Sequence, residues 1–181
     1  MERIFGKPII DQEGMHKRIR DLGRQITNDY EGRDLLLVGV LKGAYAFYAD
    51  LARAIQLPLR VDFLVVTSSE SKGKGSEKVK IVSDLTEDIK GQDVLLVEDI
   101  VDSGLTVSYL KKILLAKRPR SLKVCTLLDK PNRRKVKVAV EYIGFSIPNK
   151  YVVGYGLDYQ NKYRNLPYIA VLDVSDEDDA G

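Results

Sequence analysis

Two adjacent carboxylates and a turn of small polar residues form the part of this chain whose residue types are best suited to chemistry. Glu98 and Asp99 follow the apolar run Val94–Val97, and the turn Asp102–Thr106 comes shortly after them. Four β-favouring apolar residues predict a buried strand, and we expect the two acids where that strand ends. A helical pattern resumes near Leu110, so the segment predicts a strand, an acidic pair, a turn and a helix.

This order of elements is typical of a phosphate site at a helix N-terminus. The first N–H groups of a helix lack internal partners and attract anions. Gly104 permits close approach of the backbone, and Ser103 and Thr106 supply hydroxyl donors. The carboxylates would accept hydrogen bonds from sugar hydroxyls or help to hold magnesium through water. The segment therefore predicts a ligand with a phosphate, a polyol and a metal, although a buried strand before an ordinary capped helix explains the pattern equally well.

Two further pairs of polar residues follow predicted strands. Lys42-Gly43 comes after the run Asp34–Leu41, and Asp129-Lys130 comes after Ser121–Leu128. Each pair is also ordinary turn or strand-end chemistry, so neither identifies a site alone. Because ligands of open α/β sheets bind at the carboxyl ends of the strands, we expect both pairs to lie near the acids.

Three motifs resemble segments of one known family. The segment EDIVDSGLT (98–106) closely resembles the phosphoribosyl-pyrophosphate motif of the purine phosphoribosyltransferases, more narrowly of the hypoxanthine (hypoxanthine-guanine) branch, and LKG (41–43) and YVVGYGLDY (151–159) are similar to other parts of that family. The resemblance implies purine salvage, in which the 5-phosphoribosyl group passes from phosphoribosyl pyrophosphate to N9 of hypoxanthine or guanine, giving IMP or GMP and pyrophosphate. It also implies Mg²⁺ as a cofactor and a homodimer or homotetramer.

The resemblance further implies a role for each matched residue. It places phosphoribosyl pyrophosphate against Leu41, Lys42, Gly43, Glu98, Asp99, Asp102, Ser103, Gly104, Leu105, Thr106 and Arg164. It places the purine against Lys130, Tyr151, Val152 and Asp158, and a metal ion near Glu98, Asp99 and Asp158. Asp102 would be the catalytic acid or base at the purine N7. Lys130 can only donate hydrogen bonds, so it suits a 6-oxo group and is mismatched to a 6-amino group.

A polar, lysine-rich and glycine-containing stretch, Ser68–Lys78, separates two predicted strands, Arg60–Thr67 and Val79–Val82. Such a stretch is typical of a surface loop or of a lid. The resembled family carries a lid here that closes over the active site and excludes water. The family usually has Ser-Tyr near the start of this loop, whereas this chain has Ser69-Glu70, which leaves the contact of the lid with pyrophosphate open.

The elements that must position these residues predict an α/β fold, a mostly parallel twisted sheet flanked by helices on both faces, as in type I phosphoribosyltransferases. A first helix is expected from about Glu13 to Asp29, capped by Asp11, and a last strand at Tyr168–Val174. Residues 1–174 are interpreted as a single domain. Its hood over the base site would be built from the N-terminal segment and roughly residues 132–158. Residues 175–181 are interpreted as an acidic, disordered tail.

Composition narrows the classes of function. The chain has 181 residues, one histidine and one cysteine, which excludes a Cys/His zinc site and disfavours a Ser-His-Asp triad. Cys125 is expected to be a buried small hydrophobe. The sequence has no apolar run of about 18 residues and no apolar signal region at its start, so we expect a cytoplasmic protein without a membrane partner.

The net charge of the chain is compatible with a second function, that of a non-catalytic regulator. The formal net charge is +3, and the last nine residues hold five of the 26 acids, which leaves 21 acids against 29 bases, or +8, on the rest of the chain. A basic body suits an anionic substrate, and it also permits a non-catalytic regulator that senses phosphoribosyl pyrophosphate or binds RNA. No recognised nucleic-acid-binding module accompanies the charge, so no nucleic-acid partner is expected. The absence of G-x-x-x-x-G-K-[ST] argues against a P-loop kinase.

Overall fold

The computed structural model describes residues 8–70 and 77–172. The described helices are α1 (Gln12–Asp29), α2 (Tyr45–Ala54) and α3 (Leu105–Ala116), with a single 3₁₀ turn at Pro131–Arg133. The strands are β1 (Pro8–Ile10), β2 (Leu35–Leu41), β3 (Leu59–Glu70), β4 (Glu77–Ser83), β5 (Asp93–Val101), β6 (Ser121–Asp129), β7 (Tyr142–Ser146), β8 (Val152–Val153) and β9 (Ile169–Val171).

Six strands form the main sheet, in the order β4-β3-β2-β5-β6-β7. The pairs from β3 to β7 are parallel, and β4 alone is antiparallel, at the edge beside β3. This arrangement confirms the predicted mostly parallel sheet. Because β2 and β5 lie in the middle of the sheet, both are buried along most of their length, and each contains an apolar run of at least four residues.

Helices cover both faces of the main sheet, as predicted. On one face, α1 and α2 pack on a core that includes Leu35, Leu37 and Cys125. On the other face, α3 packs on a core that includes Leu36 and Val38. Successive residues of β2 thus point into opposite cores, as strand geometry requires. The prediction that Cys125 is a buried small hydrophobe is confirmed.

Helix α1 begins where the sequence predicts. The side chain of Asp11 accepts a hydrogen bond from the Gly14 N–H at 2.8 Å, so the predicted N-cap is confirmed. The helix starts at Gln12, one residue before the predicted start. Met15, Ile19 and other buried apolar residues of α1 then face the sheet.

The central strand β5 is longer than predicted. We expected it to end at Val97, before the acids, but it continues through Glu98 and Asp99 to Val101. The reason is tertiary, because pairing with β6 continues as far as Val101 opposite Asp129. The acidic pair therefore lies on the rigid backbone of a strand rather than in the following turn.

A small three-stranded sheet, in the order β1-β9-β8, is antiparallel throughout and lies apart from the main sheet. This sheet pairs the N-terminal strand β1 with β9, and β9 with β8. Strand β9 lies beyond the range 132–158 that was expected for the hood. Within that range, β7 belongs to the main sheet. The stretch expected to form the hood is thus divided between the two sheets.

Some of the predicted segments lie partly or wholly outside the described residues. The stretch Ser68–Lys78 begins and ends in strands, with Glu70 paired to Glu77, and residues 71–76 between them lie outside the described residues. The last strand is shorter than predicted, and residues 173–181, with the acidic tail, are likewise outside. In the part of the chain that the structure describes, no helix is long and apolar enough to cross a membrane.

Candidate functional site

A cavity of about 460 Å³ opens at the carboxyl ends of β2 and β5. Parallel pairing of these two strands brings the segments that follow them together. Most of the residues predicted for phosphoribosyl pyrophosphate line the cavity, together with one residue predicted for the purine and the metal: Leu41, Lys42, Gly43, Glu98, Asp99, Asp102, Ser103, Gly104, Thr106, Arg164 and Asp158. The structure therefore collects on one surface residues that are more than 120 positions apart in the sequence.

Four predicted residues lie beside the cavity rather than in its lining. Leu105 is the first residue of α3. Lys130 is 7% exposed at the end of β6, and Val152 is 5% exposed in the small sheet. Tyr151 is half exposed, and its hydroxyl donates a hydrogen bond to the carbonyl oxygen of Asp158 at 3.3 Å. Lys130 and Tyr151 thus contact residues of the cavity lining, Asp102 and Asp158.

Two charged cavity residues, Arg133 and Lys135, were not predicted from the sequence. They follow Lys130 closely, in the 3₁₀ turn and the loop after β6. The only sequence signal is the basic run Arg133-Arg134-Lys135, which resembles an ordinary solvated charge cluster. Their position next to the cavity makes its rim more basic, which favours an anionic ligand.

The segment Asp102–Thr106, called here the phosphate turn, has a backbone that requires glycine at one position. Gly104 has φ = +81°, in the left-handed region that glycine adopts without strain. A β-carbon there would also lie 3.1 Å from the Val138 side chain and 3.2 Å from the carbonyl oxygen of Val136. Gly104 is the N-cap of α3 and has no side chain of its own, and the Leu105 N–H donates to the Ser103 hydroxyl oxygen at 3.3 Å. A helix N-terminus of this kind attracts anions.

The environment of the acidic pair disfavours its ionised form. Glu98 is 4% exposed, and burial, with the neighbouring Asp99 charge, raises the pKa of Glu98 well above its ordinary value. Its Oε1 atom has no hydrogen-bond partner among the described residues. Burial also raises the pKa of Asp99 to about 6, against the opposing effects of the Ile100 N–H and Arg164, while the charge of Asp158 adds to the rise. Cations or hydroxyl donors are the ligands that would relieve this repulsion.

The three carboxylates predicted near a metal do not form a preassembled chelate. Within residues 8–70 and 77–172, no group of three or more His, Cys, Asp or Glu side chains is placed to hold a metal ion. Mg²⁺ commonly keeps several waters and takes only one or two carboxylates, with substrate phosphates completing its coordination. A buried, unpartnered carboxylate oxygen on Glu98 beside Asp99 fits that kind of water-rich site.

Asp102 is held by two cations from the segment after β6. Nζ of Lys130 lies 3.2 Å from Oδ2 of Asp102, and Nε of Arg133 lies 3.0 Å from Oδ1. The Lys130 ammonium is nearly buried, whereas about a third of the Asp102 side chain is exposed. The carboxylate is thus fixed at the edge of the cavity with one side still accessible to a ligand.

The opposite side of the cavity is closely packed around Gly43. The Leu41–Lys42 peptide bond that precedes it is cis. A β-carbon at Gly43 would overlap Oδ2 of Asp99, and one at Gly156 would overlap the carbonyl oxygen of Gly43. Neither position has room for a side chain, so the backbone itself forms this wall.

Arg164 is oriented by contacts on three sides. It pairs with Oδ1 of Asp158 at 2.6 Å and donates to the carbonyl oxygen of Gly156 at 2.6 Å. Its own carbonyl oxygen accepts a hydrogen bond from the Tyr45 hydroxyl at 3.1 Å. A guanidinium fixed in this way can present its remaining N–H groups to a phosphate as a planar fork.

Comparisons with known proteins agree with this geometry. A family model for the phosphoribosyl transferase domain matches residues 7–160. The hypoxanthine phosphoribosyltransferase of Escherichia coli (strain K12) is 52% identical over 171 residues, which cover 93% of this chain and 96% of that protein. The hypoxanthine-guanine phosphoribosyltransferase of Mycobacterium tuberculosis is 52% identical over 171 residues, covering 91% of this chain and 85% of that protein.

Comparison of the fold with solved structures identifies the same family. The crystal structure of a hypoxanthine phosphoribosyltransferase from Staphylococcus aureus superposes with a TM-score of 0.89 at 41% identity, covering 93% of this chain and 92% of that one. The family model spans most of the chain, and the relatives match over nearly their full length. This chain belongs to the phosphoribosyltransferase family, in its hypoxanthine phosphoribosyltransferase branch.

Proposed function

We propose that this protein transfers the 5-phosphoribosyl group of phosphoribosyl pyrophosphate to N9 of hypoxanthine or guanine, releasing pyrophosphate, in purine salvage. One observation carries the proposal: Nζ of Lys130 lies 3.2 Å from Oδ2 of Asp102 at the edge of a cavity lined by the phosphate turn. A donor for the 6-oxo group thus lies beside an acceptor for the N7 proton. The activity named for the relatives supports the same assignment.

The phosphoribosyl pyrophosphate site uses both sides of the cavity. The 5′-phosphate is bound by the phosphate turn, with hydroxyl donors from Ser103 and Thr106 and the N–H of Leu105 at the start of α3. The ribose hydroxyls donate to Glu98 and Asp99. Glu98 is buried and Asp99 is partly buried, and the raised pKa of each supports that role, because each donor bond lowers the cost of ionising them.

The pyrophosphate group binds on the opposite side. Leu41 and Gly43 offer backbone groups, Lys42 contributes a positive charge, and Arg164 contributes a planar fork of donors. The fixed orientation of Arg164 supports this assignment, since a preorganised guanidinium loses less conformational freedom on binding phosphate. The same cations oppose the negative charge that develops on pyrophosphate as the C1′–O bond breaks.

Mg²⁺ is the proposed cofactor. Glu98 and Asp99 would hold it, together with Asp158, largely through water and the ligand's own oxygens. When bound, Mg²⁺ supplies charge neutralisation to the pyrophosphate leaving group. The unpartnered Oε1 of Glu98 and the raised pKa of Asp99 support a cation at this position.

The purine lies between the phosphate turn and the small sheet. Tyr151 stacks on the ring, Val152 presents backbone groups to the base edge, and Asp158 meets the base or the metal ion. Lys130 donates to the 6-oxo oxygen, which favours hypoxanthine and guanine over adenine. In the transfer step the N9–C1′ bond forms as the C1′–O bond to pyrophosphate breaks, and the N7 proton passes to Asp102.

We further propose that the protein is a homodimer or homotetramer in the cytoplasm. Val61 and Phe63 point to one face of β3 and are 52% and 38% exposed, so part of the main sheet presents apolar side chains to solvent. A second copy of the chain would cover such a face. The buried free thiol of Cys125 is consistent with a reducing compartment.

A turnover assay tests the proposed function directly. Purified protein is supplied with phosphoribosyl pyrophosphate and Mg²⁺, and with hypoxanthine, guanine, xanthine or adenine in separate reactions. We expect nucleotide product from hypoxanthine and guanine and little or none from adenine. Absence of product from every base, with phosphoribosyl pyrophosphate still bound, would contradict the enzyme and favour a binding protein on the same fold.

A further inference from the structure

Arg134 lies directly behind the phosphate turn and contacts its backbone. Its Nη1 atom donates to the carbonyl oxygens of both Val101 and Asp102, each at 2.6 Å. Its Nη2 atom pairs with the carboxylate of Asp129, which is 5% exposed at the end of β6. The Arg134 side chain is itself 19% exposed, so this pair is largely removed from solvent.

Three successive carbonyl groups, those of Val101, Asp102 and Ser103, accept hydrogen bonds from the segment Lys130–Lys135. The carbonyl oxygen of Val101 also accepts the Lys130 N–H at 3.0 Å, and that of Ser103 accepts the Lys135 N–H at 2.9 Å. The carbonyl oxygen of Asp102 is bonded to Arg134. The Val101 and Ser103 carbonyl groups each accept a backbone N–H, whereas the donor to the Asp102 carbonyl group is the Arg134 side chain.

These bonds determine where the N–H groups of the turn point. In a trans peptide the C=O and the N–H of the same unit point in opposite directions. Because the carbonyl groups of Val101 and Asp102 point to Arg134, the N–H groups of Asp102 and Ser103 point away from it. Both of these residues line the cavity. The guanidinium thus fixes the direction of two backbone N–H groups in residues that line the cavity, where the proposed function places an anion.

We propose that Arg134, held by Asp129, is a positioning residue that aligns the phosphate turn for the 5′-phosphate of phosphoribosyl pyrophosphate. This inference rests on the proposed function, since it assigns that phosphate to the turn. Arg134 does not line the cavity, so it acts through the backbone of Val101 and Asp102. A lysine would not replace it fully, because one ammonium lacks the planar, five-donor geometry that joins two carbonyl groups and a carboxylate at once.

The arrangement also joins the two halves of the site. The carbonyl oxygen of Val101 accepts both from Arg134 and from the backbone N–H of Lys130, whose side chain contacts Asp102. Displacement of Arg134 would therefore shift the phosphate turn relative to the predicted base-binding lysine. Misplacement of about 1 Å at a catalytic site can lower activity on the order of 10²-fold.

Binding of two fragments of the substrate separates a positioning role from a general loss of structure. Isothermal titration measures the affinity of Arg134→Met for ribose 5-phosphate, which carries the 5′-phosphate, and for inorganic pyrophosphate with Mg²⁺, which occupies the Lys42 and Arg164 side. We expect ribose 5-phosphate to bind about tenfold more weakly or worse, and the KM for phosphoribosyl pyrophosphate to rise similarly. Pyrophosphate affinity should stay within about threefold of wild type.

The chain offers a matched control in Arg120, which pairs with the buried carboxylate of Asp93 at the opposite ends of the same two strands. Arg120→Met removes a comparable ion pair and is expected to lower thermal stability while leaving ribose 5-phosphate affinity unchanged. Arg134→Lys keeps the charge and should restore only part of the affinity. Should Arg134→Met prove unstable, Asp129→Asn loosens the same guanidinium and should weaken ribose 5-phosphate in the same direction.

Two results would overturn the positioning role. One is wild-type affinity for ribose 5-phosphate in both Arg134→Met and Asp129→Asn, and the other is an equal loss for ribose 5-phosphate and pyrophosphate. Failure of the proposed function would be recognised by a different result, because the wild-type protein would then form no product from any of the purine bases. Wild-type protein that binds no ribose 5-phosphate would overturn both the inference and the assignment of the turn.

Discussion

Lys130 and Asp102 are bonded to each other across the edge of the cavity, with 3.2 Å between Nζ and Oδ2. A 6-oxopurine presents its O6 acceptor and its N7 position on the same edge. Lys130 and Asp102 are complementary to that edge, and in the proposed mechanism an arriving base would replace their mutual bond with one bond to each. Arg133, 3.0 Å from the other oxygen of Asp102, keeps the carboxylate in place during the exchange.

Asp102→Asn is predicted to lower kcat by about 10²–10⁴-fold, because the amide keeps the shape of the carboxylate but cannot take the purine proton. Steady-state kinetics with hypoxanthine measures the effect. The dissociation constant for phosphoribosyl pyrophosphate, from titration without a base, should change only a few-fold, because the phosphate turn and the acidic pair are retained.

The ion pair of Lys117 with Asp84, at 2.7 Å, supplies the control for this variant. It joins the same two residue types at a partly exposed position outside the cavity lining. Asp84→Asn should leave kcat unchanged. Turnover by Asp102→Asn at the wild-type rate would exclude a proton-transfer role for Asp102.

Lys130→Met is predicted to lower kcat/KM for hypoxanthine on the order of 10²-fold, because the 6-oxo group loses its donor. The activity with adenine should change much less, so the ratio of the two specificity constants should fall. Parallel assays with both bases give this ratio, and Lys117→Met should leave it unchanged. An unchanged ratio in Lys130→Met would mean that another group distinguishes the 6-position.

The sequence was sufficient to bring Lys42, Glu98 and Lys130 to one edge of the sheet because each of their motifs follows an apolar run. The runs before Lys42, Glu98 and Lys130 are central strands, and parallel strands end at a common edge. Local pattern and sheet geometry together therefore predict one site. The continuation of β5 through Asp99 was not predictable in the same way, because it depends on pairing with β6 over residues that are polar in sequence.

Arg133 and Arg134 show a second limit of sequence reasoning. Adjacent arginines after a strand are ordinary surface residues by composition, and nothing local distinguishes one that pairs with Asp102 from one that binds the backbone of the turn. Two strands of the small sheet are missed for another reason. Strands β1 and β8 have three and two residues, too few for alternation to be read, whereas β9 lies within the predicted strand Tyr168–Val174.

Gly43→Ala is predicted to abolish most of the activity while the protein still folds. The added β-carbon would overlap Oδ2 of Asp99, so the segment Leu41–Gly43 or the acid must move. Because both lie in the proposed pyrophosphate and metal site, we expect kcat/KM for phosphoribosyl pyrophosphate to fall on the order of 10²-fold. Far-ultraviolet circular dichroism should remain that of the wild type.

Gly32→Ala is the matched control for a glycine substitution. Gly32 has φ = +71° with nothing within 4 Å of an added β-carbon, and it lies before β2 rather than after it. The substitution should cost about 1–2 kcal/mol of stability through backbone strain alone, with kcat/KM unchanged. Equal kinetics in Gly43→Ala and Gly32→Ala would show that the contact of Gly43 with Asp99 is not needed for activity.

Asp99→Asn is predicted to raise thermal stability in metal-free, ligand-free buffer, and to do so more at pH 8 than at pH 4.5. Burial raises the pKa of Asp99 to about 6 in the folded protein, above the ordinary value of about 4 in an unfolded chain. Between these values the folded state binds more protons than the unfolded state, so this residue's contribution to stability falls as pH rises. Above pH 6 the full cost of the buried charge is present, and asparagine removes it.

Asp93→Asn, at the other end of β5, should show the opposite trend. Burial alone would raise the pKa of Asp93, but hydrogen bonds from Arg120 and Ser121 outweigh it and hold the pKa below its ordinary value. Its ionised form therefore stabilises the fold above the unfolded pKa, and asparagine should be destabilising at pH 8 and less so as pH falls toward 4. Differential scanning fluorimetry across this range measures both variants, with about 2–4 °C expected for each kcal/mol. A melting temperature of Asp99→Asn at or below wild type at pH 8 in metal-free buffer would contradict a strained acidic pair that awaits a cation.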